Sequence, residues 1–156
     1  MRSRVSVFAL GLIALLLMPG LCADSSQNLR YQTVVIDPVK TSIYIGNVLL
    51  RTTPMKRSGE VYSADYNARV FPYFFSSEKG KLWITITDDD LGRLEKGQAV
   101  FFKGSAENAD HEPRRIEGRA LPADMSHGKI KVRVFVTQKI QLIFNTTYRF
   151  GEGSSN

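Results

Sequence analysis

Sulfur and imidazole are scarce in this chain: 156 residues include one cysteine, Cys22, and two histidines, His111 and His127. A lone thiol forms neither an intrachain disulfide nor a thiolate metal cage, so the fold must be held by its own apolar core. The histidines stand in separate polar stretches, "ADHEP" and "MSHGK". Neighbouring side chains in an extended loop diverge, so neither histidine has a ready orienting partner for nucleophilic catalysis. HExxH and paired cysteines are absent from the sequence as well, which disfavours a zinc site. Calcium loops need oxygen ligands at alternating positions. The acids Asp88, Asp89 and Asp90 run together instead, and fit the start of a helix better than a cation site.

Long apolar runs are equally few. The run from Val5 to Met18 follows Arg2 and Arg4 and precedes Pro19-Gly20, with small or apolar residues up to Ala23. It is shorter than the roughly 20 residues of a membrane-spanning helix and has the layout of a secretory signal peptide. Cleavage is expected after Ala23, which makes residues 1–23 the signal, 24–30 a flexible segment, 31–150 a single domain and 151–156 a flexible tail. Removal of the signal would take away Arg2, Arg4 and Cys22, lower the net charge of +6 by two, and leave a domain with no cysteine. A disulfide-free exported domain points to a bacterial periplasmic or envelope setting, so the protein is expected to be secreted or periplasmic.

What the chain does have is alternation. "YQTVVI", "TSIYIGNVLL", "EVYSADYNARVFPYFF", "KLWITIT", "QAVFFKGSA", "RRIEGRA", "KIKVRVFV" and "IQLIFNTTYRF" all show apolar residues with a period of two. Asp37-Pro38, Pro54 to Gly59, Ser76 to Gly80, Gly97, Asn108 to Pro113, Pro122 to Gly128 and Gln138-Lys139 punctuate them as turns or loops. The expected fold is all-β: an antiparallel β-sandwich or a curled, barrel-like sheet of about eight strands. One short helix is expected in "TDDDLGRLEKG", with Thr87 or Asp88 as its cap and Leu91 and Leu94 closing over an opening of the sheet. "FKGSA" and "IEGRA" share an apolar-Gly-Ala spacing and read as two arms of a hairpin, with Gly104 and Gly118 letting the sheet curl.

Function is expected to be non-enzymatic binding, of a partner protein of the envelope or of a small anionic ligand, with no cofactor and no metal. The candidate ligand residues are Arg119, Lys129, Lys131 and Arg133, which the strand period puts on one basic face. Nucleic acid is disfavoured by export and by the modest charge, and membrane association is not favoured. Two alternatives come from other classes. A carboxylate-dependent hydrolase would use Asp65, which shares a polar strand face with Ser63, Asn67 and Arg69. A small outer-membrane β-barrel would use the same alternation, with every second residue facing lipid and the others water. The aromatic-rich run "VFPYFF" is expected to pack into the core and not to serve as a stacking platform.

Overall fold

The computed structural model describes residues 29–151. The expected signal peptide, residues 24–28 and residues 152–156 lie outside the described residues. Ten strands are present among the described residues: β1 (Thr33–Ile36), β2 (Val39–Ile43), β3 (Gly46–Thr52), β4 (Met55–Ser58), β5 (Val61–Phe71), β6 (Glu78–Thr85), β7 (Val100–Asn108), β8 (Pro113–Pro122), β9 (His127–Phe135) and β10 (Gln141–Phe150). Helix α1 (Asp88–Glu95) lies between β6 and β7, and a 3-10 turn (Phe74–Ser76) lies between β5 and β6.

All the pairings are antiparallel, and the sheet closes on itself. Its circuit runs β5-β4-β1-β10-β9-β8-β7-β6 and returns through a β5–β6 ladder, eight strands in all. Closure gives every strand of that circuit a partner on each side, although residues 141–146 of β10 ladder only with β9. The barrel-like alternative is therefore the one adopted, and the sandwich is not.

The two strands beyond the expected eight arise where one expected strand, "TSIYIGNVLL", turns back on itself as β2 and β3, and where Met55–Ser58, within the expected Pro54 to Gly59 loop, forms β4. Val34 stands opposite Met55 and Val39 opposite Leu50, so one antiparallel register runs through β1–β4 and on through β2–β3. Asp37-Pro38 and Thr53-Pro54 interrupt this long pair at matching heights. Proline lacks the N–H that a ladder needs, and here it marks a step in the pleat instead of a chain reversal. Against β5 the register slips by one residue, from Thr52 opposite Tyr66 to Lys56 opposite Ser63, which is the two-against-one count of a β-bulge. The true reversal lies at Tyr44-Ile45, inside a stretch that the period alone makes a single strand. Gly46 begins β3 there because a β-carbon at that position would run into the Phe71 carbonyl.

Inside, the alternation holds along every long strand. Tyr62, Tyr66 and Val70 of β5, Val100, Phe102 and Ala106 of β7, Ile116 and Ala120 of β8, Ile130 of β9 and Phe144 and Tyr148 of β10 are buried. The β7–β8 hairpin forms as its spacing predicts, with Phe102 opposite Gly118 and Gly104 opposite Ile116. Gly118 does more than permit curling: the Phe102 ring lies over it, where a side chain would otherwise stand.

Candidate functional site: the barrel lumen

A barrel of eight strands is wide enough either to be filled by its own side chains or to hold one small ligand. Here the filling is incomplete, and a cavity of about 320 Å³ remains in the lumen. Its walls are almost wholly aliphatic and aromatic, among them Leu50, Ala68, Leu82, Phe102, Ile116 and Val132. Side chains of every strand in the circuit contribute, which follows directly from the inward half of each period-two run.

One end is stopped. Helix α1 lies across it with Leu91 and Leu94 buried in the main core. Thr87 caps the helix: its hydroxyl accepts from the Asp90 N–H, and the Asp90 carboxylate accepts from the Thr87 N–H, a complete capping box. Asp88, Asp89 and Asp90 occupy the first turn, where the helix dipole favours negative charge. Two contacts latch this floor to the wall. The Arg57 guanidinium donates to Asp88 at 2.8 Å, and the Tyr31 hydroxyl donates to Glu95 at 2.7 Å. The Tyr62 hydroxyl donates to the Tyr31 carbonyl at 2.6 Å beneath them, and burial pushes its pKa up to about 12.

The opposite end carries the loops after β2, β5, β7 and β9, and the lumen reaches it through Ile43, Ile45, Ser76, Val136 and Ile140. Just inside this mouth is a polar bracket. Arg114 donates to Glu112 at 2.7 Å and to Glu78 at 3.1 Å, Tyr66 donates to Glu78 at 2.7 Å, and the Asn108 amide donates to Glu112 at 2.9 Å. Burial opposes the Arg114 charge, but the two carboxylates outweigh it and its pKa rises. The hydrogen bond from Arg114 lowers that of Glu112. Burial, then the bond to Glu78, holds the Tyr66 phenol well above its ordinary pKa of 10. Three lumen-lining groups have a buried polar atom with no hydrogen-bond partner among the described residues: Thr52 Oγ1, Arg114 Nε and Tyr148 OH. An unmet polar atom in a low-dielectric wall is costly.

The sequence-predicted residues lie elsewhere. Arg119, Lys129, Lys131 and Arg133 are all exposed on the outer wall, and the structure does bring them together. Arg119 stands directly opposite Lys131 across the β8–β9 ladder, with Lys129 and Arg133 on either side along β9. Arg119 lies over the Phe101 ring at 5.5 Å. Glu117, opposite Arg133, is held by Arg115 at 3.0 Å. None of the four lines the lumen. Asp65 is likewise exposed on the outside, opposite Lys81, and not in the cavity.

One expectation fails. The run "VFPYFF" does not pack into the core beyond Val70. Phe71, Tyr73, Phe74 and Phe75 are 58%, 40%, 64% and 86% exposed, and Tyr44 on the neighbouring turn is fully exposed. Pro72 and the 3-10 turn end the pleat before these rings can turn inward. The lumen was signalled only by small inward residues, Ala64, Ala68, Ala106 and Ala120, which leave space that a fully packed barrel would fill. No protein-family model, curated protein or solved structure matches the chain.

Proposed function

We propose that the protein is a non-enzymatic carrier or receptor that encloses one small, largely apolar ligand in the barrel lumen. The observation that carries this is the cavity of about 320 Å³, aliphatic on nearly all sides, closed by α1 at one end and reachable at the other. Ligand sites of roughly 300–1,000 Å³ lined by apolar groups with a few convergent polar ones are the usual form of small-molecule pockets. The unpaired Thr52, Arg114 and Tyr148 atoms are enclosed by the wall, and a small shift of that wall on binding would let them meet one or two neutral oxygens of a ligand, such as an alcohol or a carbonyl. Arg114 already faces two carboxylates, so a full negative charge would gain little beside it. The pattern of residues 1–23 supports an exported, periplasmic or envelope location. The outer wall is polar and charged at alternate positions, the reverse of a lipid-spanning barrel, which favours the carrier over that alternative.

The test is a titration of the purified protein with N-phenyl-1-naphthylamine, a neutral apolar fluorophore. Saturable one-to-one binding is expected, with loss on filling the lumen by Ala68→Trp in a protein whose far-ultraviolet spectrum is unchanged. A folded wild type with no saturable binding would overturn the proposal.

A second binding surface has its own observation. Like charges directly opposite on neighbouring strands are destabilising, and Arg119 and Lys131 are such a pair, with no ion pair to any of the four cations among the described residues. An acidic partner or small anion on the outer wall would relieve that repulsion. Charge reversal at Lys131 and Arg133 would then abolish retention on an immobilised polyanion while leaving lumen binding intact.

A further inference from the structure

We infer that the aromatic rim of the mouth is a docking surface for the headgroup region of a lipid bilayer bearing anionic lipids. The inference rests on the lumen as a site for an apolar ligand, and extends it to where that ligand comes from. Seven large apolar side chains cluster on the mouth loops in two neighbouring turns and a third beyond them. Tyr44 and Ile45 tip the β2–β3 turn, Phe71, Tyr73, Phe74 and Phe75 form the β5–β6 loop, and Ile140 stands on the β9–β10 loop; all are between 40% and 104% exposed. The first two loops touch, since Gly46 lies against the Phe71 carbonyl and Asn47 pairs with Phe71. Within the β5–β6 loop the rings brace one another edge to face, Phe71 on Phe74 and Tyr73 on Phe75, each at 5.6 Å. Bracing of this kind holds the rings outward, where they meet no core.

Exposed apolar surface of this density marks an interaction site. Three features select a bilayer as the occupant. The rim mixes Phe and Tyr with flanking cations, the composition of residues that settle at a membrane–water boundary. Lys40, Arg69, Lys79 and Lys139 border the aromatic loops, all exposed and without an ion pair among the described residues, so the surface there is complementary to anionic headgroups. Arg69 and Lys79 share a cleft with Phe74, with Asp110 and the Arg114-bound Glu78 as its acidic members. Third, Ile45 and Ile140 belong both to the rim and to the lumen lining, so an apolar ligand leaving a membrane would meet no water on its way in.

The experiment is co-sedimentation of the protein with vesicles of phosphatidylcholine alone and of phosphatidylcholine with phosphatidylglycerol. Tighter binding to the anionic vesicles, weakened by salt, is expected. The double variant Phe74→Ser and Phe75→Ser, whose side chains lie outside the lumen, should bind vesicles at least roughly tenfold more weakly. It should still bind N-phenyl-1-naphthylamine from solution like the wild type. Vesicle binding that persists in the double variant, or is absent in the wild type, overturns the inference. So does a wild-type dimer that the same substitutions dissociate, since a second copy would then be the occupant. A wild type that binds the vesicles but not the fluorophore would refute the carrier function and leave the docking surface standing.

Discussion

At the scale of single residues, Gly118 and Arg114 show how a strand pattern hides its exceptions. Gly118 occupies an inward position where alternation calls for an apolar side chain, and the ring of Phe102 opposite takes that volume instead. Gly118→Ala should destabilise the barrel by about 1–3 kcal/mol in urea denaturation, because the core there is already full. Pairing it with Phe102→Leu should recover part of that loss, and strict additivity in this cycle would show that the two residues do not share space. Arg114 is a charge at another inward position, made tolerable by Glu78 and Glu112. Arg114→Lys keeps a cation for those carboxylates but removes Nε. The preference of the lumen for a long-chain alcohol over the matching alkane should fall, while affinity for the alkane stays the same. Asp124 is a surface example whose acid response follows from its hydrogen bonds. The backbone N–H groups of Ser126 and His127 hold its pKa down to about 2. A carboxylate whose folded pKa lies below its unfolded value stabilises the fold above the unfolded value and loses that contribution as pH falls through the folded one. The melting temperature of Asp124→Ala should therefore lie below that of the wild type at pH 6, and the gap should close as pH falls from about 4 toward 2.

At the scale of elements, α1 is the clearest case of a segment written in the sequence. Thr87, the three acids and the Leu91–Leu94 spacing give its start, its dipole partners and its buried face before any coordinates. Thr87→Ala should cost about 1 kcal/mol of stability through the lost cap. Leu94→Ala should cost about 2–5 kcal/mol and loosen the floor, seen as faster exchange of amide hydrogens in α1 than in β8. The strands were legible for the same reason, since an apolar lumen and a wet outer wall impose a period of two. Their ends were less so. Pro38 and Pro54 carry the residue type of a chain reversal yet act as steps within long strands, whereas the reversal at Tyr44-Ile45 carries a tyrosine and an isoleucine that look like strand. Local chemistry cannot separate those cases, because the partner strand decides which proline is tolerated. The exposed "PYFF" rings were unreadable on the same ground: burial of an aromatic depends on what lies beyond the end of its strand.

At the scale of the whole molecule, what the sequence left open between sandwich and barrel turns on a single ladder, β1 with β10, between residues about 115 positions apart. No local pattern encodes so distant a pairing. The basic residues Arg119, Lys129, Lys131 and Arg133 were correctly grouped by period and adjacency, but only the closed topology separates their convex outer face from the lumen. Occupation of that lumen stabilises the native state by mass action. A saturating apolar ligand at about 100 times its Kd should raise stability by about 2.7 kcal/mol, visible as a higher melting temperature that Ala68→Trp abolishes.

The β1–β10 ladder spans only Val34–Ile36 against Tyr148–Phe150, and past Pro38 the wall continues as β2, which is laddered to β3 but not to β10. There Val39 and Ile43 of β2 and Leu142 of β10 pack against the buried cluster of Val48, Val70 and Phe144. Such a contact can part and re-form without unzipping any backbone, much as a pleated bag expands along its one unstitched fold. Guest size is then set by how far that fold yields, and a crosslink between cysteines placed at Val39 and Phe144 should restrict the protein to its smallest guests.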